Sequence, residues 1–81
     1  MLYHLNLVRT RLPVISGLEL IKYLSKKGFK VTRTRGDHVV MRSAGRRVTV
    51  PLHPELDRGT LLAILEEAGI SKEEFLSEWY A

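Results

Sequence analysis

Cysteine is missing from all 81 residues. That excludes disulfide staples and thiolate metal sites, and it fits a reducing cytosol. No apolar run approaches the ~20 residues needed to cross a bilayer. The opening stretch, MLYHLNLVRTRLP, lacks the basic-then-apolar order and the small-residue cleavage site of a secretory signal. The expectation is a cytoplasmic protein. Walker loops, G-x-G-x-x-G and H-E-x-x-H are also missing. His4, His38 and His53 lie far apart without ligand spacing, so neither a metal site nor a cofactor is expected. Ser43 is the only serine near a histidine in sequence, and nothing around it suggests a nucleophilic triad.

Acid is scarce where base is dense. Between Lys26 and Arg47 there are eight basic residues and a single acid, Asp37. From Glu55 to Ala81 the balance reverses, with seven acids against Arg58 and Lys72. The formal net charge of +4 is therefore segregated along the chain. Two readings of the basic middle stand side by side. It is the footprint of a polyanion partner, or it is a sheet face kept soluble by arginine. Arginine outnumbers lysine there, and guanidinium suits bidentate contact with phosphate, which favours the polyanion.

A chain of this length forms one domain with a small core. Residues 1–12 show no clean period and are set apart as an N-terminal extension of uncertain order, read as an added strand, a short arm or a partly disordered segment; residues 13–81 form the domain. Ser16-Gly17-Leu18-Glu19 reads as a capping box. Leu18, Ile21 and Leu24, with Leu20 beside them, make a helical stripe. Gly28 stands where a helix ends, so the first helix is expected over 16–27. Phe29 to Arg35 alternates, with Phe29 and Val31 on one face. Gly36-Asp37 turns the chain into a second strand over 38–43, and Ala44-Gly45 turns it into a third over 46–52. Val39, Met41, Val48 and Val50 share one face; His38, Val40 and Arg42, with Arg47 and Thr49, share the other. A second helix is expected over 60–68, ending at Gly69. Ser71 and Glu74 box the start of a short third one, with Ile70 and Phe75 as its hydrophobic staple.

The expected fold is thus α+β, ordered α-β-β-β-α, with a short C-terminal helix. Its three-stranded antiparallel sheet carries both main helices on the Val39/Met41/Val48/Val50 face. The opposite face, with His38 and its arginines, is left open.

Imidazole and guanidinium suffice for one reaction. RNA carries its own nucleophile, the 2′-hydroxyl. Its cleavage needs a base, an acid and cations around the phosphate, and histidine serves as base or acid near neutral pH. From composition alone, the favoured reading of His38 is a surface histidine in a hairpin.

The stretches LPVISGLELIKYLSKKGF, RTRGDHVVMR, GRRVTVPLHPEL, GTLLAILEEAGIS and EEFL, in that order, resemble the HicA-type toxins, also called the YcfA family. The combination is specific, whereas no single piece is. The resemblance implies a double-stranded-RNA-binding-domain-like (dsRBD-like) fold and a metal-independent mRNA interferase of a type II toxin–antitoxin pair. It implies His38 as the catalytic histidine and a HicB-type antitoxin protein that covers the active face. Arg33, Arg35, Arg42, Arg46 and Arg47 are the candidates for holding RNA phosphate, and Gly36 and Asp37 form the turn that orients His38. Where the family commonly has Gly-Ser-His, this chain has Gly36-Asp37-His38; the added carboxylate either repels RNA phosphate or orients the ring. His53, in P-L-H-P at a recurring family position, is a second acid–base group, a phosphate donor or, the favoured reading, a turn residue bonded to nearby backbone. Trp79 and Tyr80 either stack on bases or, for Trp79 at helical spacing after Phe75, belong to the core. The competing functions are a non-catalytic RNA-binding module of the same fold and a protein-interaction domain with a basic face.

Overall fold

The computed structural model describes residues 11–81. Expectations placed on residues 1–10, His4 among them, lie outside the described residues. The elements run α1 (Gly17–Lys26), β1 (Lys30–Arg35), β2 (His38–Ser43), β3 (Arg46–Pro51), α2 (Arg58–Ala68) and α3 (Lys72–Trp79). The three strands form one antiparallel sheet in the order β1-β2-β3. The α-β-β-β-α order matches the sequence expectation.

Each helix starts where its cap dictates. The Ser16 hydroxyl accepts from the Glu19 amide at 3.0 Å while the Ser16 amide donates to the Glu19 carboxylate at 2.9 Å. This closes the box that satisfies two orphan donors. Ser71 accepts from the Glu74 amide at 3.0 Å, but the box expected there is only half made, because the Glu74 carboxylate pairs with Lys27 instead of reaching back to the cap. The second helix begins earlier than Thr60. Asp57 is its N-cap, accepting from both the amide and the hydroxyl of Thr60. Those two donors hold the Asp57 carboxyl below its ordinary range, the backbone amide contributing most. Gly69 ends the helix in the left-handed region at φ 77°, where a side chain would be strained.

The β2–β3 turn has Ala44 and Gly45 both at positive φ, the pattern that matches the twist of a two-residue hairpin. Register across β2 and β3 is regular, and Val39, Met41, Val48 and Val50 join the core as expected. β1 departs from simple alternation. A bulge between Val31 and Arg33 resets its pairing, so that Arg33 faces Val40 and Arg35 faces His38. Val31, which alternation puts on one face with Phe29, is 51% exposed, while Phe29 is buried. The reason is placement: α1 and α2 both lie against β3, and β1 is left as an uncovered edge.

The stripe on α1 is also rotated. Leu18 is 54% exposed, and the buried line is Gly17, Leu20, Tyr23 and Leu24. Gly17 decides this. A Cβ built there would lie 2.0 Å from the Pro51 carbonyl oxygen, so the helix can approach β3 only on its glycine side. Leu12, assigned above to the extension, is buried with Ile15, and its carbonyl accepts from Arg58 Nε at 2.6 Å. The packed domain therefore includes Leu12.

The core closes on α3. Phe75 is fully buried, edge-on to Tyr23 at 4.9 Å and stacked on Trp79 at 5.4 Å. Around this aromatic group the Tyr23 hydroxyl donates to Glu78 at 2.6 Å, and Lys27 bridges Glu74 and Glu78. Burial, followed by the Glu78 carboxylate, holds the Tyr23 hydroxyl far above its ordinary value.

Candidate active site on the open sheet face

The open face is built in cross-strand rows. Arg35, His38 and Pro51 make one row; Arg33, Val40 and Thr49 the next; Lys30, Arg42 and Arg47 the third. The β1 bulge brings both Arg33 and Arg35 into line with His38 and Val40. Arg33, Arg35, His38, Val40, Arg47 and Thr49 line a shallow hollow of about 200 Å³. Val40 was expected to be open to solvent. It is only 8% exposed and lies outside the main core cluster. Long arginine stems over a sheet cover apolar surface while their heads stay in water, and that accounts for the burial.

Other expected site residues fall elsewhere. Arg42 stands four residues along β2 from His38, on the order of 13 Å away at strand rise, and is not among the residues lining the hollow. Arg46 has the parity of Val48 and Val50, so it belongs to the helix-covered side. Its guanidinium lies over Gly69 and donates to the Glu67 carbonyl at 3.3 Å, where a cation suits the C-terminal end of α2. Trp79 is part of the aromatic core group rather than the site, and Tyr80 is the exposed C-cap of α3.

The Gly36-Asp37 turn presents His38. Gly36 takes φ 58°, and the Asp37 carbonyl accepts from the Leu52 amide at 2.6 Å, tying the turn to the end of β3. The Asp37 carboxylate then lies between two imidazoles. His38 Nδ1 is 3.0 Å from Oδ1, and His53 Nε2 is 3.3 Å from Oδ2. All three side chains are more than half exposed. The His53 backbone is anchored separately, its carbonyl accepting from the Gly17 amide at 2.9 Å. His53 thus meets the carboxylate of the neighbouring turn rather than local backbone. Sequence spacing hides this pairing, because fourteen residues separate His38 from His53 and only the β2–β3 register brings Pro51 beside His38.

A carboxylate near Nδ1 favours the tautomer with its proton there, which leaves Nε2 of His38 with a free lone pair. The hollow beside it offers guanidinium groups on two strands. The arrangement is that of a small α+β domain with an open basic sheet face and one imidazole at its rim. The family model for the HicA toxin of bacterial toxin–antitoxin systems matches residues 17–70, two-thirds of the chain. The chain belongs to that family of toxins. The match takes in α1, the whole sheet and α2, and it ends before α3. Neither the curated proteins nor the solved structures gave a match. Among the described residues no helix is long and apolar enough to cross a membrane.

Proposed function

We propose that the chain is an endoribonuclease toxin, an mRNA interferase, that cleaves RNA by attack of its own 2′-hydroxyl, with His38 as the general base. The observation that carries the reading is the position of His38 at the rim of a hollow lined by Arg33, Arg35 and Arg47. His38 Nε2 takes the 2′-proton, and the arginines stabilise the charge that develops on phosphorus-bound oxygen. Arg42 and Lys30, in the third row, extend the cationic track along the backbone of the bound strand. The partner that silences it is an antitoxin of the HicB type, seated on this same face. That reading rests on the family together with the charge of the surface.

The test is direct. Wild-type protein incubated with RNA should give cleaved strands, and producing it alone should arrest growth. His38→Ala should lose both while keeping its circular dichroism and melting behaviour, because a half-exposed side chain contributes little stability. A folded His38→Ala that cleaves at the wild-type rate sinks the assignment.

A further inference from the structure

The base accounts for half of the proton traffic. Expelling the 5′-oxygen as an unprotonated alkoxide is slow, so a second group must supply a proton there. We propose that this group is His53, and that Asp37 spans the two imidazoles to hold acid and base on either side of one phosphate.

The geometry carries this in three parts. His53 Nε2 lies 3.3 Å from Asp37 Oδ2, while His38 Nδ1 lies 3.0 Å from Oδ1 of the same carboxylate. Each ring therefore turns one nitrogen to Asp37 and has the other for substrate: Nε2 on His38 and Nδ1 on His53. The His53 side chain is 53% exposed, so substrate can reach it. Its backbone is fixed by the bond from the Gly17 amide, at a point where α1 and the end of β3 touch without room for a Cβ.

The step balances. His38 Nε2 takes the proton of the 2′-hydroxyl as the bond from O2′ to phosphorus forms. The bond from phosphorus to O5′ breaks, and its electron pair stays on O5′. O5′ takes the proton from Nδ1 of His53, which enters the step as an imidazolium beside the Asp37 carboxylate. The products are a 2′,3′-cyclic phosphate and a 5′-hydroxyl, and the two imidazoles have exchanged protonation states for solvent to reset.

This inference rests on the ribonuclease reading above, and the experiment separates the two. A short RNA carrying the site mapped for the wild-type protein is compared with the same RNA bearing sulfur in place of the bridging 5′-oxygen. A thiolate leaves without a proton, so only the normal RNA needs the acid. His53→Ala should lose about 10²–10⁴-fold on the normal RNA, the range for general acid–base catalysis, and should stay within a few-fold of wild type on the sulfur-bridged one. His38→Ala should fail on both. A His53→Ala variant as fast as wild type on the normal RNA overturns the inference and leaves His38 standing. Equal losses on both RNAs also overturn it, since a structural role does not distinguish leaving groups. A wild-type protein that cleaves neither RNA removes the ribonuclease reading and this one with it.

Discussion

Asp37 is the residue on which the site turns, and it pulls in two directions. Its carboxylate sits within ion-pair distance of both His38 and His53, where it is placed to orient both rings. It is also the single acid in the basic middle of the chain, so it repels phosphate. The two effects separate kinetically. Asp37→Ser should lower the maximal cleavage rate by about tenfold through lost orientation. It should also lower KM for RNA at low salt, where an exposed charge is least screened. Steady-state kinetics at two ionic strengths check this. A variant whose rate and KM both equal those of wild type would reduce Asp37 to a turn former. Arg46 makes the opposite point. By composition it belongs with the other arginines, yet its bond to the Glu67 carbonyl assigns it to the end of α2. Arg46→Ala should leave RNA affinity almost unchanged and shift the melting curve slightly, whereas Arg47→Ala should weaken RNA binding.

Elements set the site through two contacts. The first is the approach of α1 to β3 at Gly17. Gly17→Ala places a methyl against the Pro51 carbonyl, and forcing backbone apart in this way costs on the order of 1–3 kcal/mol or more. The same change strains the bond that holds His53, so melting temperature and cleavage rate should fall together. Differential scanning calorimetry and an RNA cleavage assay read both. The second contact fastens α3 to α1 through Tyr23, Lys27, Glu74 and Glu78. The Lys27 ammonium, then the Tyr23 hydroxyl, hold the Glu78 carboxyl below its ordinary range. Hydrogen bonds that Lys27 donates to Glu74 and then to Glu78 hold its ammonium above its own ordinary value. A lowered carboxyl value contributes stability that is present above the ordinary glutamate value, about 4.3, and is lost as pH falls through and below it. The raised Lys27 value contributes stability that is present below the ordinary lysine value and is lost only in strong alkali. Thermal melts should therefore fall from pH 5 downward, and Glu78→Gln should flatten that fall while leaving the midpoint near neutral pH lower than in wild type. Identical pH profiles for the two proteins would show that this cluster does not govern acid stability.

On the scale of the molecule, charge is sorted by surface. The open sheet face carries Arg33, Arg35, Arg42, Arg47 and Lys30, while the acids of α3 fasten that helix to Lys27 on α1. RNA bound by several such cations releases counterions, so its affinity should fall steeply with salt; charge-neutral docking would not show this. The same face is the expected seat of the antitoxin, because complementary charge speeds encounter and fixes orientation. Charge reversal at Arg47 should weaken the complex and reduce its salt sensitivity, as measured by titration calorimetry across a salt series. An antitoxin whose binding is indifferent to Arg47 and to salt would place its footprint elsewhere. The uncovered edge of β1 lies beside this face, blunted as edge strands are by lysine and arginine at Lys30, Arg33 and Arg35.

Much of the fold was legible in local signals. The Ser16 and Ser71 caps, the glycines at 36, 45 and 69 and the inward set of Val39, Met41, Val48 and Val50 each rest on signals a few residues long, and each held in three dimensions. His38 on an open basic face followed from strand parity together with the need to pack both helices on the valine face. What local pattern could not decide was anything that depends on two segments meeting. Periodicity allowed either stripe on α1, and the backbone of Pro51 chose the one through Gly17. Alternation put Val31 on one face with Phe29, but a bulge and the position of the helices over β3 left it exposed at an uncovered edge. Composition grouped Arg46 with its neighbours, and the end of α2 took it away. His53 was visible as a histidine but not as a partner of His38. Its place opposite the same carboxylate arises from cross-strand register and from a helix docked without a side chain in the way, and neither is written in any one stretch of sequence.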